Sequence, residues 1–384
     1  MQNPIIVGAG LGGLVLARVL HRHGVTPVVY EAEASPSVRG QGGLLDIHEG
    51  TGQVALHAAG LTERFLRLVR PGEDAKRVTD SQGTILFDHP GGSSAARPEV
   101  DRGELRRMLL DSLPVGMVRW GHKLRSLERG PDNAITASFT NGAVVEGNLV
   151  LGADGAWSRV RPSVSTAVPS YTGTCFIERH LAAGDARYSR SVDLIGQGTL
   201  MAVAPGKGVL AHRNQDGSVH VYVAINAPEA FIAELDFSDR RAGLARLAQM
   251  FDGWAPEIVD LVTGGDTDPV IRPIHALPPE HTWARVPGIT LLGDAAHLMS
   301  PFAGEGANLA MLDGAELAKA LLDSPHDVEK ALGVYEQALF ARSETSARRA
   351  AGNLEQFFGE GAPQSVVDLF RKHIANGQRR ELPV

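Results

Sequence analysis

The chain has 384 residues, enough for two domains at roughly one to two hundred residues each. It is 43% hydrophobic and 21% charged, a globular composition with ample core, and 37 Lys and Arg against 44 Asp and Glu give a net charge of −7. That balance lacks the basic footprint of a nucleic-acid binder, no apolar run reaches the roughly 18–20 residues that cross a bilayer, and the single cysteine, Cys175, can form no internal disulfide. Cys175 reads as a small buried hydrophobe, and the basic residues Arg371, Lys372, Arg379 and Arg380 as a solvated end. No positive charge precedes the apolar stretch from Ile5 to Ala17, so it does not read as a signal peptide. A soluble cytoplasmic monomer with no nucleic-acid or membrane partner is the expectation.

In chain order, Ile5-Ile6-Val7 is a β-branched run of the kind buried in parallel sheets. The Gly cluster from Gly8 to Gly13 follows, then an apolar helix that ends near His23 with Gly24 as its stop, then the strand Val28-Val29-Tyr30. A helical stretch is predicted from Gln53 to Leu68, and another from Arg102 to Leu110 with Asp101 as N-cap. Leu149-Val150-Leu151 is a second buried strand, closed by Gly152-Ala153-Asp154-Gly155. From about 166 to 270 alternating runs such as Val219 to Val223 predict an antiparallel sheet with one solvated or ligand-facing side. Ile289 to Leu292 returns to the buried-strand pattern, and helices follow over 303–323 and from Asp327 to Phe358. The predicted fold is α/β: a Rossmann-like domain (1–70, 97–165, 270–325), an inserted antiparallel β-sheet domain (71–96, 166–269) and a C-terminal helical segment (326–384) whose long helix bridges the two.

Gly8-x-Gly10-Leu11-x-Gly13 lies between a strand and a helix. Gly8 allows the tight turn, Gly10 lets backbone approach a pyrophosphate, and Gly13 lets helix and strand pack closely. The helix N-terminus offers unpaired N–H groups to phosphate, and Glu31, about twenty residues on, can accept from ribose hydroxyls. An acid there disfavours a 2′-phosphate, which leaves NAD or FAD for this site. Gly293-Asp294 at a second strand end puts a carboxylate where ribityl hydroxyls would lie, or else caps a helix. Pro301, Gly304, Gly306, Ala307 and Asn308 then open a helix whose dipole suits the pyrimidine edge of a flavin.

These motifs, in this order and with Asp154-Gly155 between them, resemble those of the class A flavoprotein monooxygenases over essentially the whole chain. The runs Gly43 to Gly50 and Gly293 to Gly306, with Thr199 to Ala202 and Tyr335 to Gln337, are similar to the tetracycline-inactivating members, the tetracycline destructases. The resemblance implies FAD as cofactor and NADPH as a transient co-substrate. It implies transfer of oxygen from O₂, through a flavin C4a-hydroperoxide, to a phenolic or enolic polyketide such as a tetracycline antibiotic. It places Glu31 at the adenosine ribose, Arg102 and Asp46 on the flavin side, Arg39 near the cofactor entrance, Asp154 with FAD and NADPH, and Asp294 at the ribityl and pyrophosphate region.

On the substrate side the resemblance matches His220 to an antibiotic-contacting histidine; a solvent-facing strand histidine is the other reading. Glu178 stands where those enzymes carry Gln, and Thr199 where they carry Arg, which removes a planar five-donor partner. Phe302 and Phe357 are apolar walls or core. No metal site and no protein nucleophile are expected, and no base is singled out. The alternatives are hydroxylation of another aromatic polyketide or phenol, or flavin binding without catalysis. The halogenase Trp-x-Trp-x-Ile-Pro segment is absent, since Trp120, Trp157, Trp254 and Trp283 stand far apart. A dehydrogenase using NAD alone leaves the Gly293-Asp294 loop unexplained.

Overall fold

The computed structural model describes residues 4–38, 43–69, 75–91, 97–130, 134–265 and 267–380. Arg39 falls outside them. The chain divides into two compact units, one of residues 1–70, 94–170 and 275–351, the other of 71–93, 171–274 and 352–384.

The first unit is built on a five-stranded parallel sheet in the order Ile289–Leu291, Val150–Gly152, Ile5–Val7, Val28–Tyr30, Val118–Arg119. Three of its strands, Ile289–Leu291, Val150–Gly152 and Ile5–Val7, are completely buried, which is why their sequences are mainly apolar runs rather than alternations. The helix Leu11–Arg22 ends at His23, with Gly24 at φ +81° in the left-handed conformation expected of a stop residue. That helix crosses Gly306–Asp323 at glycines of both partners. A Cβ on Gly12 would stand 2.4 Å from Ala310 O, and one on Gly314 2.4 Å from Gly12 O. The two backbones therefore touch, and the N-termini of both helices belong to one rigid core.

Two expected helices are shorter. The stretch from Gln53 to Leu68 is broken at Gly60 (φ +67°) into Val54–Ala58 and Thr62–Leu66, preceded by a wide π turn over Glu49–Gln53. The helix expected from 303 starts at Gly306, because Gly304 is left-handed (φ +65°) and ends a 3₁₀ turn over Pro301–Ala303. Asp101 caps Arg102–Leu110 as predicted, its Oδ1 accepting from Glu104 N at 2.9 Å.

The second unit is organised by a seven-stranded sheet in the order Val270–Ala276, Ser170–Leu181, Val219–Asn226, Lys207–Arg213, Thr199–Ala204, Lys76–Thr79, Ile85–His89. Its central ladders are antiparallel, but Thr199–Ala204 pairs with Lys76–Thr79 in parallel. Period-2 alternation sends Val219, Val221, Val223 and Ile225, with Ile177 and Cys175, into a core shared with Leu247, Phe251, Ile258 and Leu261. Burial pushes the Cys175 thiol up to about 11, so it is inert filling. Arg371 and Lys372 lie exposed on the helix Gln364–Arg380, solvated as expected. Among the described residues no helix is long and apolar enough to cross a membrane.

Candidate active site

Gly8 has φ +108°, and a Cβ there would fall 2.3 Å from Ala153 O; one on Gly13 would fall 2.2 Å from Gly8 O. A Cβ on Gly10 meets nothing within 4 Å. The first and third glycines of the motif therefore serve packing, while the second borders open space at the start of a helix with no side-chain cap. That is the cradle a pyrophosphate requires. Glu31 draws the turn onto the strand end, Oε2 accepting from Ala9 N (2.6 Å) and Oε1 from Glu33 N (2.9 Å). Sequence reasoning missed Arg106, which is buried, donates Nε to Ala9 O (3.1 Å) and Nη2 to Glu33 Oε2 (3.0 Å), and so braces the turn from below. Its one signal was an arginine set among Leu105, Met108 and Leu109 on the apolar face of a helix. Arg102 opens that helix, exposed to solvent.

The Asp154 side chain is engaged within its own turn. Its Oδ1 accepts from Ser158 Oγ (2.6 Å) and Oδ2 from Arg159 N (2.7 Å) and Val160 N (3.2 Å), while burial raises its pKa despite those bonds. Asp294 differs. It does not cap its helix, so that reading is corrected; its Oδ1 lies 4.0 Å from where a Cβ of Gly306 would stand, at the uncapped N-terminus of Gly306–Asp323. The loop carrying it is held from behind: Asp313 Oδ2 accepts from Gly293 N (2.9 Å) and faces His297 Nε2 (2.6 Å), and Arg342 Nη2 donates to Asp313 Oδ1 (2.9 Å). Burial opposes the charge on His297, but the Asp313 carboxylate outweighs it and the pKa rises. His297 serves to hold this loop in place.

Asn308 ties the next loop together. Oδ1 accepts from His48 N (2.9 Å), and Nδ2 donates to Asp46 O (2.8 Å) and Gly304 O (3.1 Å). Asp46 thereby comes beside Gly304, whose Cβ would lie 3.4 Å from Asp46 Oδ1. Between them sits a cluster not foreseen from sequence, with His48 and Glu305 buried at its centre: His48 Nε2 bonds Asp46 Oδ2 (3.0 Å), His48 Nδ1 faces Glu305 Oε1 (3.6 Å), Arg349 pairs with Glu305, and Arg97 lies 3.6 Å from Asp46. Burial lowers the His48 pKa, yet the bonds to Asp46 and Glu305 prevail and it rises. Pro301 is exposed, and Phe302 and Ala307 are half-buried, on this same loop.

In the second unit, register places His180, His220 and His212 directly opposite one another on three adjacent strands, hence on one face, with Thr199 and Lys76 continuing the row. His220 is buried at 8% exposure, so the solvent-facing reading is corrected. Its Nε2 bonds Glu178 Oε1 at 2.8 Å, its ring stacks on His180 at 4.4 Å, and Tyr222 leans on it at 4.5 Å. Arg272 pairs with the other oxygen of Glu178, and His180 lies 3.5 Å from Oε1. His180, His220 and Arg272 together hold the Glu178 carboxyl far below the usual carboxylate range. Thr199 Oγ1 bonds His212 Nδ1 (2.8 Å), and burial, then Lys76 and His220, push the His212 pKa down to about 4. Glu178, His180 and His220 bring ligand atoms within 4.8 Å of one another, but Arg272 already supplies the positive charge that a cation would bring. Phe357 is buried, packing against Phe358 and Phe370 as core of this unit.

The fold and this cradle define a dinucleotide-binding protein. The sequence profile of the FAD binding domain family matches residues 2–229 and 282–343, and the chain belongs to that family. It is 30% identical to the monooxygenase penA of Penicillium thymicola, over 95% of this chain and 97% of that one. It is 31% identical to an FAD-dependent urate hydroxylase of Klebsiella pneumoniae, over 87% of this chain and 85% of that one. The protein is an FAD-dependent monooxygenase. In fold it is similar to the Klebsiella pneumoniae HpxO protein complexed with FAD and uric acid (TM-score 0.79, 23% identity, 98% of this chain and 95% of that one). It is also similar to the tetracycline destructase Tet(51) (TM-score 0.73, 20% identity, all of both chains).

Proposed function

We propose that the enzyme uses NADPH and O₂ to hydroxylate a phenolic or enolic ring compound, with a tetracycline-type polyketide as the first candidate and a simpler phenol as the second. The observation that carries this reading is the polar row of the second unit. Glu178, His220 and the Thr199–His212 pair stand beside Tyr222 and Phe176 on one sheet face, half-buried or buried, where an aromatic ring carrying several oxygens would find both stacking surface and hydrogen-bond partners.

FAD, when bound, supplies the redox chemistry and the activation of O₂. The residues present suit it. The N–H groups behind Gly10 would hold the pyrophosphate, Glu31 the adenosine ribose and Asp294 the ribityl chain. Asp46, Arg102, Pro301, Gly304, Gly306, Ala307 and Asn308 would border the ring. The uncapped start of Gly306–Asp323 would hold negative charge at the pyrimidine edge.

The test is NADPH oxidation by the purified yellow protein in air, with NADH in parallel, adding tetracycline, uric acid or simple phenols and weighing the product. A gain of one oxygen atom with faster NADPH loss on tetracycline supports the antibiotic reading; the same gain on a phenol or on urate alone transfers the reading to that compound. NADPH loss that no aromatic compound accelerates rejects it.

A further inference from the structure

We propose that Glu178, His180 and His220 form a site for a single divalent transition-metal ion of the zinc kind, and that the ion enters by displacing Arg272 from Glu178.

The strand register builds the site. His180 and His220 stand directly opposite each other across the antiparallel pair Ser170–Leu181 and Val219–Asn226, and Glu178, two residues before His180, shares their face. Both imidazoles bring Nε2 to one atom, Glu178 Oε1, His220 at 2.8 Å and His180 at 3.5 Å. Two ligand atoms of a tetrahedral zinc ion, each about 2.0–2.1 Å from the metal, stand roughly 3.3 Å apart. The two distances bracket that spacing. Ligand atoms of all three residues already lie within 4.8 Å of one another, so the remaining adjustment is to turn His180 off its stack on His220. His180 is free to turn because its side chain is 49% exposed, whereas His220 and Glu178 are held buried.

Two imidazoles and one carboxylate are the donor set of zinc sites that leave a fourth position to water or a ligand. Magnesium and calcium, which take oxygen donors, are disfavoured by it. Zinc takes the lone pair of each Nε2. The ionised Glu178 can only accept, so His220 Nε2 carries the proton in the metal-free protein; that ring passes to its Nδ1–H form as the metal binds, the proton moving through solvent.

Arg272 is the competitor. It reaches Glu178 Oε2 from the neighbouring strand Val270–Ala276, and a pair whose arginine is 51% exposed is weakly held. It supplies the counter-charge in metal-free protein and yields to a cation that satisfies the carboxylate and both histidines together. Lys76, the other cation of the row, lies at its far end beyond Thr199 and does not confront the ion. The site rests on this geometry alone. Its consequence, that zinc and the ring substrate compete for one face, rests on the functional reading above.

Equilibrium dialysis of the FAD-loaded full chain against micromolar zinc chloride, near neutral pH, tests the site. The wild type should take up one equivalent that His180→Ala and Glu178→Gln bind at least about tenfold more weakly, and millimolar magnesium should not displace it. Arg272→Ala, relieved of the competitor, should bind zinc several-fold more tightly than the wild type, a gain that a chance pair of surface histidines would not show. Zinc held equally by wild type and His180→Ala, displaced by magnesium, or bound no more tightly by Arg272→Ala overturns the proposal. Should Glu178→Gln fail to fold, His180→Ala and Arg272→Ala, both changes at half-exposed side chains, carry the test. Competition is read separately, on a phenol that the wild type oxidises: zinc should raise KM and leave kcat, and His180→Ala should lose that inhibition. Zinc that binds as expected but leaves product formation untouched upholds the site and takes the substrate off this face, so that the functional reading falls without it.

Discussion

Two glycines only two positions apart, Gly8 and Gly10, separate folding from binding. Gly8 combines φ +108° with backbone 2.3 Å from any added Cβ, so Gly8→Ala strains the turn and drives Ala153 away. We expect roughly 2–4 kcal/mol of lost stability, read as a lower urea midpoint of the apoprotein. Gly10 has an ordinary φ of −76° and open space around it, so Gly10→Ala should leave that midpoint within about 0.5 kcal/mol while FAD affinity falls at least tenfold. Equal FAD affinity in Gly10→Ala and wild type would show that no phosphate approaches this turn. The glycine roles were legible from sequence because each follows from local geometry. Arg106, His48 and Glu305 were not, because what makes them matter is a partner far away in the chain: Ala9 for Arg106, and His48 and Glu305 for each other.

Elements show the same division. The buried parallel strands and the helices Leu11–Arg22 and Arg102–Leu110 were readable because apolar runs, a Gly stop and an Asp cap are local signals. The early breaks at Gly60 and Gly304 escaped, since a glycine inside a helical pattern is tolerated unless tertiary contacts select its left-handed form. At Gly304 the selecting contact is Asn308, which is 1% exposed and joins Asp46, His48 and Gly304 through three hydrogen bonds. Removing that side chain strands a buried His48 N–H and frees the loop. Asn308→Ala should therefore cost roughly 2–3 kcal/mol and release FAD on dilution or gel filtration under conditions in which the wild type stays yellow. Undiminished FAD retention would detach this loop from the cofactor site. The parallel pairing of Thr199–Ala204 with Lys76–Thr79 was equally hidden, because strand pairing over such a sequence distance leaves no local trace.

Across the molecule, the histidines give the two units different responses to acid. In the first unit His48 and His297 have raised pKa values and His281 a lowered one, so their contributions oppose. A raised histidine stabilises fully below its unfolded pKa and loses that stabilisation as pH climbs through the folded value; a lowered one behaves in the reverse sense. In the second unit the shifted histidine is His212, at about 4 when folded against 6.5 when free. Between those values the unfolded chain binds the extra proton, so stability there falls with acidification. At pH 5 the loss relative to neutral pH is on the order of 2 kcal/mol, about thirtyfold in the opening equilibrium. Ordinary carboxylates remain ionised over this interval and do not mask it. Hydrogen exchange at pH 7 and pH 5, corrected for intrinsic rates, should show strands Thr199–Ala204, Lys207–Arg213 and Val219–Asn226 losing protection while Leu11–Arg22 and Gly306–Asp323 change little. His212→Gln cannot take up the proton, so it should lower protection at pH 7 and remove the difference between the two pH values. If the strands of the second unit lose protection equally in wild type and His212→Gln, the acid sensitivity lies in another group and the assignment of His212 fails.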